Sequence, residues 1–141
     1  MAEREVLLGF RVRISPPRGL TPAAEFVMEL ALALYFFEHE LKADGGPLNA
    51  VIRSGDRCLT AVDQADLLIW LFYEIEVPAV VLGPLVEVGM ERGIDLDGVT
   101  PLRVFRSDPA LAALAVVYRQ HRIDADQFLD VLGGFVLPAV H

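Results

Sequence analysis

The chain is poor in the groups that most enzymes work with. Cys58 is its single cysteine, which excludes an internal disulfide and fits a reducing compartment. The aliphatic hydroxyls are confined to Ser15, Ser54, Ser107, Thr21, Thr60 and Thr100, and the imidazoles to His39, His121 and His141. Lys42 is the only lysine and lies before the glycines Gly45 and Gly46, whereas a nucleotide-phosphate loop places a lysine after glycines that join a strand to a helix. Long hydrophobic runs are missing too. The longest charge-free stretch, 77–86, is interrupted by Pro78, Gly83 and Pro84, and Leu30–Phe37 is closed off by Glu29 and Glu38. A membrane span needs about 20 apolar residues, so no membrane segment is expected. Residues 1–5 are charged and lead into a strand pattern, which is not the pattern of a secretory leader. The expected location is cytoplasmic.

What is present is apolar and acidic. Hydrophobic residues make up 54% of 141 positions, enough for one domain, 1–141, with a core that needs no metal or disulfide. Net charge is −8, which argues against nucleic-acid binding over the whole surface and suits docking on a basic one. Eleven of the 12 basic residues are arginines, a coding bias of the source rather than a functional mark.

The charges are sorted by local pattern. Arg4, Arg11, Arg13, Arg18, Arg53, Arg57, Arg103 and Arg106 lie in or beside β-patterned stretches, while most acids lie on helix-patterned ones. Residues 4–14 alternate apolar and polar with period two, as a half-buried strand does. Thr21 and Pro22 form a helix start, and the helix should run to about Leu41, apolar on nearly every face and buried from several sides. Residues 50–53 and 57–61 are predicted to form a hairpin around Ser54, Gly55 and Asp56. Thr60 or Asp63 should cap a second helix that ends near Glu76. Gly83 and Pro84 are predicted to open a short helix to Arg92. A strand over 102–106, a helix from Asp108–Pro109 to about Arg122, and a last helix capped by Asp124 and Gln127 and ended by Gly133 and Gly134 complete the pattern. The expected fold is α+β: a small, mostly antiparallel sheet of three to five strands packed by about five helices on one side. The alternative is a mostly helical domain with a β-hairpin. Trp70, Leu68, Phe36 and Leu34 are the expected core.

Chemistry-bearing clusters are few. Glu25 and Glu29 are one helical turn apart, a spacing compatible with acid/base work but common on the solvated stripe of any helix. Glu38, His39 and Glu40 are adjacent, so their side chains diverge by about 100° per residue and cannot converge on one ion. Cys58 beside Arg57 could be activated by the cation, although a structural thiol is the commoner outcome. His121 and Asp124 could pair, but Asp124 already serves as a cap. No catalytic residue, metal site or cofactor is assigned, and no stretch resembles a family motif. The strongest signal is the arginine set: Arg11, Arg13, Arg53 and Arg57 are expected to share one sheet face that grips carboxylates or phosphates of a partner, against the plainer role of blunting sheet edges.

These features favour a non-enzymatic binding protein. It would be a small acidic inhibitor or regulator docking on a macromolecular partner, of the phage-type inhibitor kind that acts on host machinery such as RNA polymerase, or of the toxin-immunity kind. The partner would be another protein, in a hetero-complex or a homo-oligomer. The alternatives are a small enzyme using carboxylates around an apolar pocket and a structural subunit of a homo-oligomer.

Overall fold

Alternation in the first strand decides the architecture. In the computed structural model, which describes residues 7–46, 48–88 and 101–136, β1 (Leu8–Ser15) buries Phe10, Val12 and Ile14 and turns Arg11 and Arg13 to the other face. β1 is central to an antiparallel sheet of order β2-β3-β1-β4-β6, built with β2 (Lys42–Gly46), β3 (Asn49–Arg53), β4 (Ala79–Leu82) and β6 (Leu102–Phe105). A sixth, two-residue strand, β5 (Val86–Glu87), also pairs with β1. Register places Phe10 opposite Ile52, Val12 between Ala50 and Leu82, and Val80 between Ile14 and Val104. This apolar face joins one cluster with the buried residues of four helices, α1 (Pro22–Glu38), α2 (Ala61–Trp70), α3 (Pro109–Arg119) and α4 (Ala125–Val136). The class is α+β with an antiparallel sheet, here with six strands and four described helices.

Helix starts follow the local chemistry closely. Thr21 Oγ1 accepts from Ala24 N at 3.1 Å with Pro22 at the first helical position. Thr60 and Asp63 form a reciprocal capping box on α2. Asp108 caps α3 ahead of Pro109. Asp124 and Gln127 exchange backbone-to-side-chain bonds of 2.9 and 2.8 Å at the start of α4. Each satisfies backbone N–H groups that have no partner within the helix.

Four expectations are corrected. First, the hairpin is β2–β3, 42–46 with 49–53, and not 50–53 with 57–61. Gly45 and Gly46 are strand residues. Gly45 has φ +112° and a Cβ there would lie 2.8 Å from the Asn49 carbonyl oxygen, so the close antiparallel approach requires glycine. Second, α1 ends at Glu38, short of Leu41; the second helix does end where expected, since α2 continues from Trp70 as a π-helical turn over Leu71–Ile75 that is capped by Glu76. Third, Gly83 and Pro84 open no helix; residues 89–92 of the expected helix lie outside the described residues. Leu82 pairs with Val12 and Val86 with Gly9, so Gly83, Pro84 and Leu85 lie opposite only Phe10 and Arg11. This is a β-bulge, where proline's missing N–H is tolerated. Buried Gln64 donates from Nε2 to the Gly83 carbonyl at 3.0 Å and ties α2 to the bulge. Fourth, α4 continues through Gly133 and Gly134 to Val136.

Candidate functional site

The four arginines singled out from the sequence do not share a surface. Arg11 lies opposite Val51 and Arg13 opposite Asn49 and Val81, so Arg11, Arg13, Val51, Arg53 and Val81 occupy one sheet face, joined by Arg103 opposite Val81. All are half-buried. Arg53 is paired with Asp44 at 2.8 Å, and Arg11, Arg13 and Arg103 are each engaged within the chain. A shallow depression of about 340 Å³ beside Arg11 is lined by Asp44, Asn49, Ala50 and Val51. Arg57 is elsewhere. Its guanidinium makes two bonds to Asp63, of 3.0 and 2.8 Å, and a longer one of 3.4 Å to the His39 carbonyl. Arg57 therefore fastens the start of α2 to the end of α1, and the four-arginine surface is reduced to three. Burial alone would raise the Asp63 carboxyl, but the bonds from Arg57 and the Thr60 backbone outweigh it and hold the group below the usual carboxylate range. Arg106, outside β6, pairs with Glu76 at 3.1 Å.

A further correction concerns α1, expected to be buried from several sides. It buries Met28, Leu32, Tyr35 and Phe36, one stripe at helical spacing. The opposite stripe is exposed: Phe26 (65%), Val27, Leu30, Leu34 (52%) and Phe37 (81%). Leu34 thus leaves the expected core, in which Leu68 and Phe36 remain and Trp70 is half-buried. Scattered surface apolar residues need no explanation, but five large ones along one helix face form a patch. The charged residues of α1 are Glu25, Glu29 and Glu38, with no lysine or arginine among them.

Between α1, α2 and α3 opens a groove of about 590 Å³. On its α1 side Leu34 passes from the exposed stripe into the wall, followed by Tyr35, Glu38 and His39. His39 stacks on Tyr35 with ring centres 3.9 Å apart, and its Nδ1 lies 2.8 Å from the Tyr35 carbonyl. Tyr35 in turn meets Trp70 at 4.4 Å, giving a row of three rings. On the far side Tyr118 donates to Asp66 Oδ1 at 2.9 Å. Burial, then this bond and the Asp66 charge, push Tyr118 up to about 12. Arg119 borders the groove and lies 5.1 Å from the Tyr73 ring centre. Tyr35 is 6% exposed, and among the described residues its hydroxyl makes no hydrogen bond. Burial and the charges of Asp66 and Asp63 hold that phenol protonated far above its ordinary range.

Comparison with known protein families, curated proteins and solved structures finds no match to this chain. Function must therefore be argued from these surfaces alone. Among the described residues no group of three or more His, Cys, Asp or Glu is placed to hold a metal ion, and no helix is long and apolar enough to cross a membrane. Glu25 is exposed and Glu29 half-buried on α1, outside the groove wall. Cys58 is exposed. His121 is exposed at the end of α3, and Asp124 acts as the α4 cap rather than its partner. His141 lies outside the described residues.

Tyr35, Asp66 and Tyr118 were not singled out by the sequence reading, and Trp70 was assigned only to the core. A local signal existed: Asp66, Trp70 and Glu74 recur every four residues through an otherwise apolar segment, the spacing of one helix stripe. The Asp66–Tyr118 bond joins residues 52 apart, and no local pattern carries that.

Proposed function

We propose that this chain is a non-enzymatic binding protein, an inhibitor or regulator, that docks on a protein partner through the apolar face of α1. The observation that carries it is the exposure of Phe26, Val27, Leu30, Leu34 and Phe37 along one helix face. Covering such side chains yields roughly 1 kcal/mol or more each, enough to form the apolar centre of an interface. The chemistry at its edge selects the partner. Glu29 and Glu38 flank the stripe, Glu25 stands in the first turn, and the helix carries no cation, while the whole chain carries −8. An apolar surface bordered by lysine and arginine complements it, and charge complementarity favours encounter and suppresses wrong partners. A second copy is disfavoured, because packing α1 on α1 gathers carboxylates with no cation from either helix. The arginines of the sheet face, which the sequence reading favoured, are already engaged in the fold.

Co-purification from the native host, read by mass spectrometry, tests this with three proteins: wild type, Leu30→Glu, and Arg11→Ala/Arg13→Ala. Leu30 is half in solvent, so Leu30→Glu should leave the fold intact by circular dichroism. The expected result is a partner held by wild type and by the arginine variant and lost by Leu30→Glu. Retention by Leu30→Glu with loss in the arginine variant assigns docking to the sheet face and overturns the reading.

A further inference from the structure

We propose that the groove between α1, α2 and α3 seats one cationic side chain, a lysine or arginine, of the partner that docks on α1. This rests on the α1 docking reading and adds the chemistry of its specificity. The two surfaces are continuous, since Leu34 belongs to the exposed stripe and also lines the groove, with Glu38 one turn further along. A helix or strand lying on the stripe therefore has the groove within side-chain reach.

The wall is built for a cation. Glu38, Asp66 and Glu74 face one cation of the chain, Arg119. Asp66 already accepts from Tyr118, but a carboxylate has about four acceptor sites and keeps capacity for another donor. The Tyr35 ring is covered by His39 and Trp70 and offers its hydroxyl, whereas Trp70, half-buried in the wall, offers its indole ring to a cation. Arg119 against Tyr73 shows the same contact made within the chain.

The independent mark of a ligand is the Tyr35 hydroxyl. Tyr35 is 6% exposed and is one of the residues that line the groove, and its hydroxyl has no hydrogen-bond partner among the described residues. A buried hydroxyl left unpaired is costly. Held neutral by its surroundings, it presents oxygen lone pairs to an ammonium or guanidinium N–H. An anion would meet three carboxylates, and an apolar occupant would leave the hydroxyl unpaired.

Trp70 is the only tryptophan and stands in the groove wall, so its emission reports occupancy. The probes are n-butylammonium and n-butylguanidinium chloride, titrated against sodium chloride at equal ionic strength, and a synthetic amphipathic helix of leucine and lysine with its leucine–glutamate counterpart. A saturable change of Trp70 emission with both alkyl cations is expected, beyond that of salt. It should weaken roughly tenfold in Asp66→Asn/Glu74→Gln and measurably in the near-isosteric Tyr35→Phe. Leu30→Glu should keep the alkyl-cation response and lose the leucine–lysine helix, and the leucine–glutamate helix should not bind. No response beyond salt, or equal affinity in the carboxylate variant, overturns the groove site. A leucine–lysine helix that needs Leu30 but ignores Asp66, Glu74 and Tyr35 also overturns it, while sparing the α1 reading. A helix that binds Leu30→Glu as tightly as wild type overturns the α1 reading instead.

Discussion

Among the described residues, three sit where glycine is the usual occupant. Glu40, Glu76 and His121 have φ of 57°, 61° and 59°, in the left-handed region that crowds any Cβ. Two of them complete the same helix-ending geometry. After α1, Leu41 N donates to the Phe36 carbonyl at 2.7 Å and Glu40 N to the Phe37 carbonyl at 3.2 Å; after α3, Arg122 N donates to Val117 and His121 N to Tyr118, both at 3.0 Å. These are the paired bonds of a Schellman motif, with Glu40 and His121 in the position that glycine favours. Each L-residue there costs on the order of 1 kcal/mol. Glu40→Gly and His121→Gly are therefore expected to stabilise the fold by up to about 1 kcal/mol each, less what glycine adds to the entropy of the unfolded chain. Urea midpoints measured singly and together check this, and the two effects should add because the sites end different helices. A lower midpoint in both variants would mean that these side chains contribute more than the strain they cause. The same residues explain why helix ends were hard to place. A reading that waits for glycine passes Glu40 and stops at Gly45, which is a strand residue.

Among the elements, α1 and α2 look alike in sequence and differ in what covers them. Both are apolar around most of their circumference, yet α2 buries Ala61, Gln64, Ala65, Leu67, Leu68 and Ile69, whereas α1 buries one stripe and leaves the other in solvent. Composition could not separate them, because an all-round apolar helix signals burial without saying whether this chain or another does the burying. The difference is measurable. Leu68 is fully buried, and Leu68→Ala should cost on the order of 2–5 kcal/mol through lost burial and a cavity. Leu30→Ala, on the exposed stripe, should stay within about 0.5 kcal/mol of wild type. Equal losses in a denaturant melt would show that α1 is covered within the chain. Helix starts were legible throughout because Thr21–Pro22, Asp108–Pro109 and Asp124–Gln127 act within one turn. The bulge at Gly83–Leu85 was not. Proline after glycine reads locally as a helix opening, and only pairing with β1, some 70 residues earlier in the chain, makes it a strand.

At the scale of the whole molecule, charge decides which copy or partner α1 can meet. The chain carries −8 and α1 contributes three glutamates and no cation. Two copies approaching through α1 repel, and the repulsion acts over about 10 Å at 0.1 M salt. The apolar stripe would otherwise favour self-association. Salt should shift this balance, weakening the repulsion while leaving the apolar attraction in place. Acid would be a poorer lever. Asp63 has a folded pKa below its unfolded value, so the stability it contributes is present above the ordinary aspartate pKa, about 4, and is lost as pH falls through that value towards the folded one. At neutral pH the expected outcome is a monomer in low salt and a growing dimer fraction as salt is raised towards about 1 M, where screening falls to about 3 Å. Sedimentation velocity reads both states. Leu30→Glu should stay monomeric throughout, which ties the dimer to α1 rather than to the sheet edges. A leucine–lysine partner should follow the opposite trend and bind more weakly as salt rises, because for it the screened interaction is attractive. A dimer already complete in low salt would give the α1 face to a second copy and remove the case for a basic partner.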